Sequence, residues 1–375
     1  MITIPESLKK YFLSPNYRLT EDNKYYYQAN SYLIQQMRCG VKQDVVSTPL
    51  IGKKHPHFFQ ITDRTCDYAF ASSCWDSMKD DERARTIYLL MQKTIKERFP
   101  NVSAPKLHFI ISQELEHINA DAMFYQKKNS SEEDFVFIKP EYLESSNGLT
   151  TVSLLTHELQ HHNDFTLIDN KISPYFQEHY LPPVQSYALP EHIMALPITG
   201  TIYNHKTKQH DTITPQLEEQ ILMLKHKTYP LNSGSKIRDF SQVKTPQDML
   251  GLMEFQAYMN TPLERRAYKT GLECTEEALD RSINYGIKQT YADSTRIERI
   301  RNNVINAERN AEQITNITGV PMSYICNLFT ERYYYSRRLL KTANVKARIT
   351  AIDEELLRLA NCFTPENPKT LSKTI

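Results

Sequence analysis

The sequence is poor in glycine and tryptophan and has no long apolar run. Its 375 residues include nine Gly and one Trp, against 19 Pro and 23 Tyr. So few glycines leave little room for a phosphate-cradling loop, and neither a GxGxxG pattern nor a P-loop occurs, so nucleotide chemistry is not expected. No stretch approaches the roughly 18 apolar residues of a membrane span, and the N-terminus lacks the apolar core of a signal peptide. We therefore expect no membrane span, and a protein that is cytoplasmic, or secreted or translocated without a cleaved signal peptide.

Net charge and cysteine spacing exclude some classes of function but do not indicate a particular one. The net charge is +1, with 40% hydrophobic and 24% charged residues, which is typical of a folded globular chain without a general attraction to nucleic acid. No nucleic-acid partner is therefore expected. The six cysteines contain no CxxC pair, so free, mostly buried thiols are expected. A disulfide between Cys66 and Cys74 is the alternative.

One short stretch carries most of the chemistry. Residues 157–161 are His-Glu-Leu-Gln-His, a match to HExxH. On a helix, residues four apart lie on the same face, so His157 and His161 could bind a single metal ion. Glu158 then lies beside them, where it can reach a water in the open position of the metal. The alternative is a surface helix whose histidines and glutamate face solvent.

The residues around this motif favour a helix. A turn-forming Ser-Ser-Asn-Gly cluster precedes it, and Thr150 or Thr151 is expected to cap the helix. Val152, Leu155 and Leu159 recur at helical spacing, which predicts that they are buried on one side.

Periodicity predicts one helix and three strands before the HExxH helix. The expected elements are a helix at 80–99 and strands at 106–112, 122–125 and 135–139, after short strands at 57–61 and 68–71. Three strands leading into an HExxH helix resemble the N-terminal half of the zincin metallopeptidase fold. The resemblance implies that an edge strand pairs with extended substrate, and that either 122–125 or 135–139 lies at the rim of the cleft. The sequence does not choose between these two strands.

A hydrolytic zinc site takes three protein ligands and leaves one position for water. Residues 262–268, Pro-Leu-Glu-Arg-Arg-Ala-Tyr, resemble the Pro-x-Glu-x-x-Ala pattern of gluzincin-type HExxH hydrolases. The resemblance implies that Glu264 is the third ligand and that Ala267 leaves room one turn on. Thr261 and Glu264 also match a capping box, in which the glutamate would turn back to the Thr261 amide. The other candidate ligands are Glu254, Glu273, Glu276 and, more weakly, Asp164.

The chemistry expected of this site follows from its parts. One Zn²⁺ ion held by His157, His161 and Glu264 would lower the pKa of a bound water towards about 7 and polarise a carbonyl oxygen. Glu158 is expected to take the proton of the water and pass it to the leaving amine. The candidates for a hydroxyl that steadies the oxyanion are Tyr258, Tyr268 and Tyr285.

The rest of the chain is predicted as an insertion and a helical end. Residues 165–246 form a long, proline-rich insertion in which a helix is expected at 214–227. Three helices are expected after residue 295, and they could bind a partner or self-associate.

Taken together, the sequence predicts an α+β fold: a zincin-like catalytic domain, with a small mixed sheet and the HExxH helix, followed by a helical C-terminal region. The expected boundaries are 1–78 for an N-terminal mixed region, 79–290 for the catalytic domain and 291–375 for the helical region. The function predicted is that of a zinc metallopeptidase acting on a protein or peptide, with a bacterial toxin or translocated effector as the suggested setting. The alternatives are a zinc hydrolase of a non-protein amide and a non-catalytic helical interaction module.

Overall fold

The computed structural model describes residues 63–109, 121–126, 134–143, 147–186, 188–231, 233–337 and 342–363. The first elements are α1 Ser72–Trp75, α2 Asp80–Arg98, β1 Lys106–Phe109, β2 Ala122–Tyr125 and β3 Phe135–Ile138. They are followed by α3 Gly148–Leu167, α4 Ser173–His179, α5 Leu189–Met194, β4 Thr201–Asn204, β5 Gln209–Thr212 and α6 Pro215–Thr228. The last five are α7 Pro246–Met259, α8 Pro262–Asn284, α9 Tyr291–Thr318, α10 Met322–Ser336 and α11 Ala343–Ala360. The predicted α+β class is confirmed.

The chain divides into two compact units. Among the described residues, the first unit consists of those up to Asp164 together with Arg266–Asn302, and the second consists of those from Phe165 to Arg265 together with those from Asn303 onward. The division falls within the ranges of α3, α8 and α9. The boundaries expected from the sequence, 1–78, 79–290 and 291–375, stay a prediction, and residues 1–62 lie outside the described part of the chain.

The first unit contains a small mixed sheet with the order β1-β3-β2. Strand β3 is central: it is parallel to β1 and antiparallel to β2, with Met123 opposite Phe137. All four residues of β3 are buried, as expected for a strand covered on both sides. Strand β2 is at the edge of the described sheet. This arrangement resolves the open alternative in favour of residues 122–125 as the edge strand.

Helix α3 begins earlier than its sequence suggests. A Cβ at Gly148 would lie 2.5 Å from the carbonyl oxygen of Phe70, so the helix can start at this close contact because the residue is glycine. The expected cap at Thr150 or Thr151 is therefore wrong, since both residues lie inside the first turn. Instead the Thr151 hydroxyl donates to the Tyr142 carbonyl at 2.9 Å. The buried stripe predicted for this helix is confirmed.

The strand predicted at 68–71 is wrong. These residues form a turn between a 3₁₀ segment, Asp63–Asp67, and α1, and Phe70 is 1% exposed. A short buried apolar run has no periodicity that separates a strand from a turn or helix. The strand predicted at 57–61 lies outside the described residues.

Cys66 and Cys74 are buried free thiols, so the disulfide alternative is not observed.

The second unit buries the helices at the end of the chain against α7. Its larger apolar cluster joins Met249 and Leu252 of α7 to Ile325 of α10 and to Ile352 and Leu356 of α11, all at most 2% exposed. The apolar faces of α10 and α11 are therefore used within this unit. No helix among the described residues is long and apolar enough to cross a membrane.

The inserted segment of the second unit has a core of its own. It includes Phe176 and Ile202 together with Ile221 and Leu222 of α6. Helix α6, Pro215–Thr228, confirms the helix predicted at 214–227, and Thr214 caps it by accepting from the Leu217 amide. The β4–β5 hairpin was not predicted, because its strands are short and mostly exposed and so lack an apolar stripe.

Two consecutive residues of α6 are buried polar groups with partners on α10. The Lys225 ammonium donates to Asn327 at 2.6 Å and contacts Glu331 at 3.1 Å. The Thr330 hydroxyl donates to a backbone carbonyl at 2.7 Å, so the His226 Nε2, also 2.7 Å away, is the donor to the Thr330 oxygen. This hydrogen-bond pattern assigns a proton to the His226 Nε2.

The pKa of His226 predicts how the second unit responds to acid. Burial lowers this pKa to about 4, while the nearby Glu264 carboxylate raises it and Lys225 lowers it. A folded-state pKa below the unfolded value means that His226 contributes stability above pH of about 6.5, which is lost as the pH falls towards 4. Between pH 6.5 and 5 the loss should be about 1–2 kcal/mol.

The measurement is urea unfolding of wild type and His226→Gln between pH 8 and 5 in a chelator, so that metal release does not contribute. The wild type should lose more stability than the variant below pH 6.5. Above pH 7 the two profiles should run parallel, which is the internal control. A variant whose stability declines as steeply as that of the wild type would contradict the assignment.

Candidate metal centre

Helix α3 places His157 and His161 on one face, one turn apart. Its opposite face is buried in the first unit through Val152, Leu155 and Leu159, each 0% exposed. Because the apolar stripe and the two histidines lie on different sides of the helix, packing of the stripe turns the imidazole rings away from the core.

The spacing of the two histidines suits binding to one shared metal ion. Their Nε2 atoms are 3.1 Å apart, and their rings are nearly perpendicular at 82°. Two nitrogens bound to one tetrahedral zinc ion at about 2.0–2.1 Å would be about 3.3 Å apart. The observed separation is therefore close to the one that a single ion requires.

Glu264 joins this pair from the first turn of α8. One donor atom from each of His157, His161 and Glu264 lies within 4.8 Å of the others. Among the residues that the structure describes, this is the group of three histidine, cysteine or acidic side chains that could hold a metal ion. The structure thus brings together the three residues that the sequence nominated, although Glu264 follows His161 by 103 positions in the sequence.

Of the two hydrogen bonds of the expected capping box, the structure shows the one from the Glu264 amide to the Thr261 hydroxyl. The Thr261 hydroxyl accepts from the Glu264 amide at 3.3 Å, so Thr261 does cap α8. The Thr261 amide, however, donates to the Tyr258 carbonyl at 3.2 Å. The Thr261 cap and the position of the Glu264 carboxylate beside the histidines are therefore compatible, because the cap uses only the backbone of Glu264.

The other candidate ligands lie elsewhere. Three of them pair with arginines: Glu273 with Arg98, Glu276 with Arg301, and Asp164 with Arg266. Burial raises the pKa of Glu254, which is outside the described cluster. None of these four carboxylates shares the position of Glu264.

Glu158 faces the edge of the sheet. Its side chain is nearly buried, and its Oε2 atom accepts from the backbone amide of Phe124 in β2 at 2.6 Å. In an antiparallel pair, alternate residues turn their backbone groups away from the partner strand. The Lys139 amide donates to the Asp121 carbonyl, which places Phe124 among the outward-facing residues of β2. The outer side of the edge strand and the carboxylate of the HExxH motif therefore meet.

Of the three tyrosines nominated for the oxyanion, Tyr268 contacts a candidate ligand. Its ring packs edge-on against His157, with ring centroids 4.6 Å apart. Tyr285 packs against Tyr68 instead and is 51% exposed, and Tyr258 contributes to the apolar cluster of α7. Helical spacing accounts for the position of Tyr268, because it follows Glu264 by one turn of α8.

His162 is a part of the site's surroundings that the sequence did not reveal. Its ring is buried, with Nε2 2.7 Å from the Ser103 carbonyl oxygen and Nδ1 3.2 Å from Asp134. The same ring packs against Phe124 at 5.0 Å between centroids. His162 thus joins α3 to the edge strand. No local pattern indicates this role, since its partners are distant in sequence.

The donor set fits a zinc ion. Two imidazole nitrogens and one carboxylate oxygen are ligands that zinc takes in hydrolytic sites, and the three donors are close enough to share one ion. Comparison of the chain with protein-family models, with curated proteins and with solved structures finds no match. The interpretation of the site therefore depends on its own geometry.

Metal content tests this cluster directly. Purified wild-type protein should bind about one zinc ion per chain, and His161→Ala and Glu264→Ala should each lower occupancy strongly, because two remaining ligands hold zinc poorly. Elemental analysis after dialysis against trace zinc measures the effect. The matched controls are His210→Ala and Glu273→Ala, which remove the same side-chain types elsewhere and should keep wild-type occupancy. Zinc lost with His161→Ala but kept with Glu264→Ala would remove Glu264 from the ligand set.

Proposed function

We propose that the chain is a zinc-dependent hydrolase of the HExxH class, gluzincin-like in its third ligand, that cleaves a peptide bond in a protein or peptide. The observation that carries the proposal is the meeting of three elements: the two histidines, Glu264 and a carboxylate that faces an edge strand. A surface helix with incidental histidines gives no reason for a glutamate from a second helix to converge on them.

The residues that would hold the ion are His157, His161 and Glu264. Zinc bound there would supply a Lewis acid that polarises a carbonyl and makes a water more acidic. Glu158 supplies the base: its carboxylate is buried and accepts from the Phe124 amide on Oε2, which fixes its direction beside the two histidines of the same helix. The same group can then return the proton to the leaving amine.

The edge strand favours an extended peptide as the substrate. Ala122 and Phe124 are the residues of β2 whose backbone groups face away from β3. A peptide that pairs with this side by strand addition is held by its main chain, whatever its sequence, and lies alongside Glu158. A small non-protein amide has no such main chain, so the edge strand contributes less to its binding.

The expectations about setting are independent of this geometry. A toxin or translocated effector, a cytoplasmic or exported location, and a partner of the C-terminal helices all stay predictions. The non-catalytic alternative also stays open to test, because a helical interaction module would have no need of Glu158.

The first functional test removes the proposed base. Glu158→Gln keeps an oxygen that can accept from the Phe124 amide but cannot take a proton, so peptide hydrolysis should fall about 10²–10⁴-fold while zinc content is unchanged. Cleavage of a proteome-derived peptide library, followed by mass spectrometry, measures the loss. Glu141→Gln, an exposed carboxylate, is the control.

Two outcomes would count against the proposal. Zinc-loaded wild type that cuts no peptide in the library would overturn peptide hydrolysis, and a Glu158→Gln variant as active as the wild type would overturn the role of Glu158. Hydrolysis that a chelator does not abolish would point to a contaminating activity.

The second functional test concerns the hydroxyl of Tyr268. Tyr268→Phe keeps the ring against His157 but removes the donor that we assign to the oxyanion, so kcat should fall about 10–10³-fold with little change in KM or zinc content. Tyr285→Phe removes an equivalent hydroxyl from an exposed ring and should behave as the wild type. Equal kcat values for the two variants would remove Tyr268 from the mechanism.

A further inference from the structure

We propose that Asp164 and Arg266 form a positioning pair that fixes Glu264 relative to the two histidines. The inference rests on the proposed function, because it concerns the same metal site. Neither residue is assigned as a ligand. Their role is to hold together the two helices that carry the ligands.

The two ligand-bearing helices pack side by side in opposite directions. Near the start of α3, a Cβ at Gly271 would lie 3.0 Å from the Ser153 carbonyl oxygen, so α8 approaches closely there because residue 271 is glycine. Two turns further along α3, the Thr270 hydroxyl donates to Gln160 Oε1 at 2.9 Å. Residue numbers at these contacts rise along α3 as they fall along α8, so the two helices are antiparallel.

The Asp164–Arg266 pair lies at the ligand end of this packing. Arg266 Nη2 is 2.9 Å from Asp164 Oδ1, and the Gln160 amide donates to the same oxygen at 2.8 Å. Asp164 is 0% exposed, whereas the Arg266 side chain is 38% exposed. Thr270 orients Gln160, Gln160 donates to Asp164, and Asp164 holds Arg266, which gives one continuous helix-pairing network of four side chains.

The position of this network explains what it can do for the ligands. Asp164 follows His161 by about one turn of α3, and Arg266 follows Glu264 by two residues in the first turns of α8. The first turn of a helix lacks some of its own hydrogen bonds and is the part that opens most readily. A side chain there needs an external contact to keep a fixed place.

The buried carboxylate makes that contact strong. An ionised group removed from water must be paired and hydrogen-bonded, so Asp164 constrains the guanidinium to one place. Arg266 in turn anchors the turn that carries Glu264 to the turn that follows His161. Outer partners that orient ligands in this way typically change metal affinity about 10–100-fold when they are removed.

The test compares Asp164→Asn, Arg266→Gln and the double variant with the wild type. Zinc affinity is measured by competition with a chromophoric chelator, and the urea midpoint of the metal-free protein is measured in parallel. Co²⁺ added in place of zinc provides a visible spectrum that reports the number and kind of ligands. Arg265→Gln is the control, because Arg265 is adjacent, exposed and 3.8 Å from Glu219.

A positioning role predicts that all three variants bind zinc about 10–100-fold more weakly and show an altered Co²⁺ spectrum. The double variant should be more stable than Arg266→Gln, because the Asp164 carboxylate is no longer left buried without its partner. Its zinc affinity should stay as low as that of the single variants. Arg265→Gln should match the wild type in every measurement. Arg266→Lys, which keeps the charge without the planar guanidinium, should fall between wild type and Arg266→Gln and serves if the other variants do not fold.

Zinc affinity in Arg266→Gln or Arg266→Lys within twofold of the wild type would overturn the proposal, whatever the stability. Affinity that returns with stability in the double variant would do the same, because it would reduce the pair to a structural ion pair. A wild type that binds no zinc is a separate result: it would overturn the proposed function itself.

Discussion

The close antiparallel packing of α3 and α8 is the constraint on which the candidate site depends. Two helices can approach this closely only where a side chain is absent, and Gly271 provides that place opposite Ser153. Once the helices are side by side, residues more than 100 positions apart in sequence become neighbours. The donor atoms of His157, His161 and Glu264 lie within 4.8 Å of one another, although no local pattern in the sequence links Glu264 to the two histidines.

The small sheet adds the second requirement. Its central strand, β3, is buried. Its edge strand, β2, donates the Phe124 amide to Glu158, the carboxylate of the HExxH motif. His162 packs against the same edge strand, so two consecutive turns of α3 are tied to it. His157, His161 and Glu158, with its contact to the strand edge, are thus positioned by one helix, α3, whose opposite face is buried through Val152, Leu155 and Leu159.

Local patterns predicted the elements well where periodicity is long. Helix α2, helix α6 and the three strands of the sheet lie close to their expected ranges, because amphipathic spacing over several turns or a pleat is a strong constraint. The patterns failed at Tyr68–Ala71 and at the start of α3. In both places a close contact decides the backbone conformation: Phe70 is enclosed by the core, and Gly148 lies against its carbonyl.

The sequence by itself determined the chemistry that is available: the HExxH spacing, a glutamate that follows a proline, and the residue types that suit zinc. It could not decide between a cap and a ligand for Glu264, between two strands for the edge, or among three tyrosines. Only the tertiary structure shows which of these residues lie beside the histidines and which strand lies at the edge, because both depend on contacts between segments far apart in the chain. The pairing of Asp164 with Arg266 is of the same kind: neither residue has a neighbour in sequence that indicates its partner, and the packing of two helices alone brings them together.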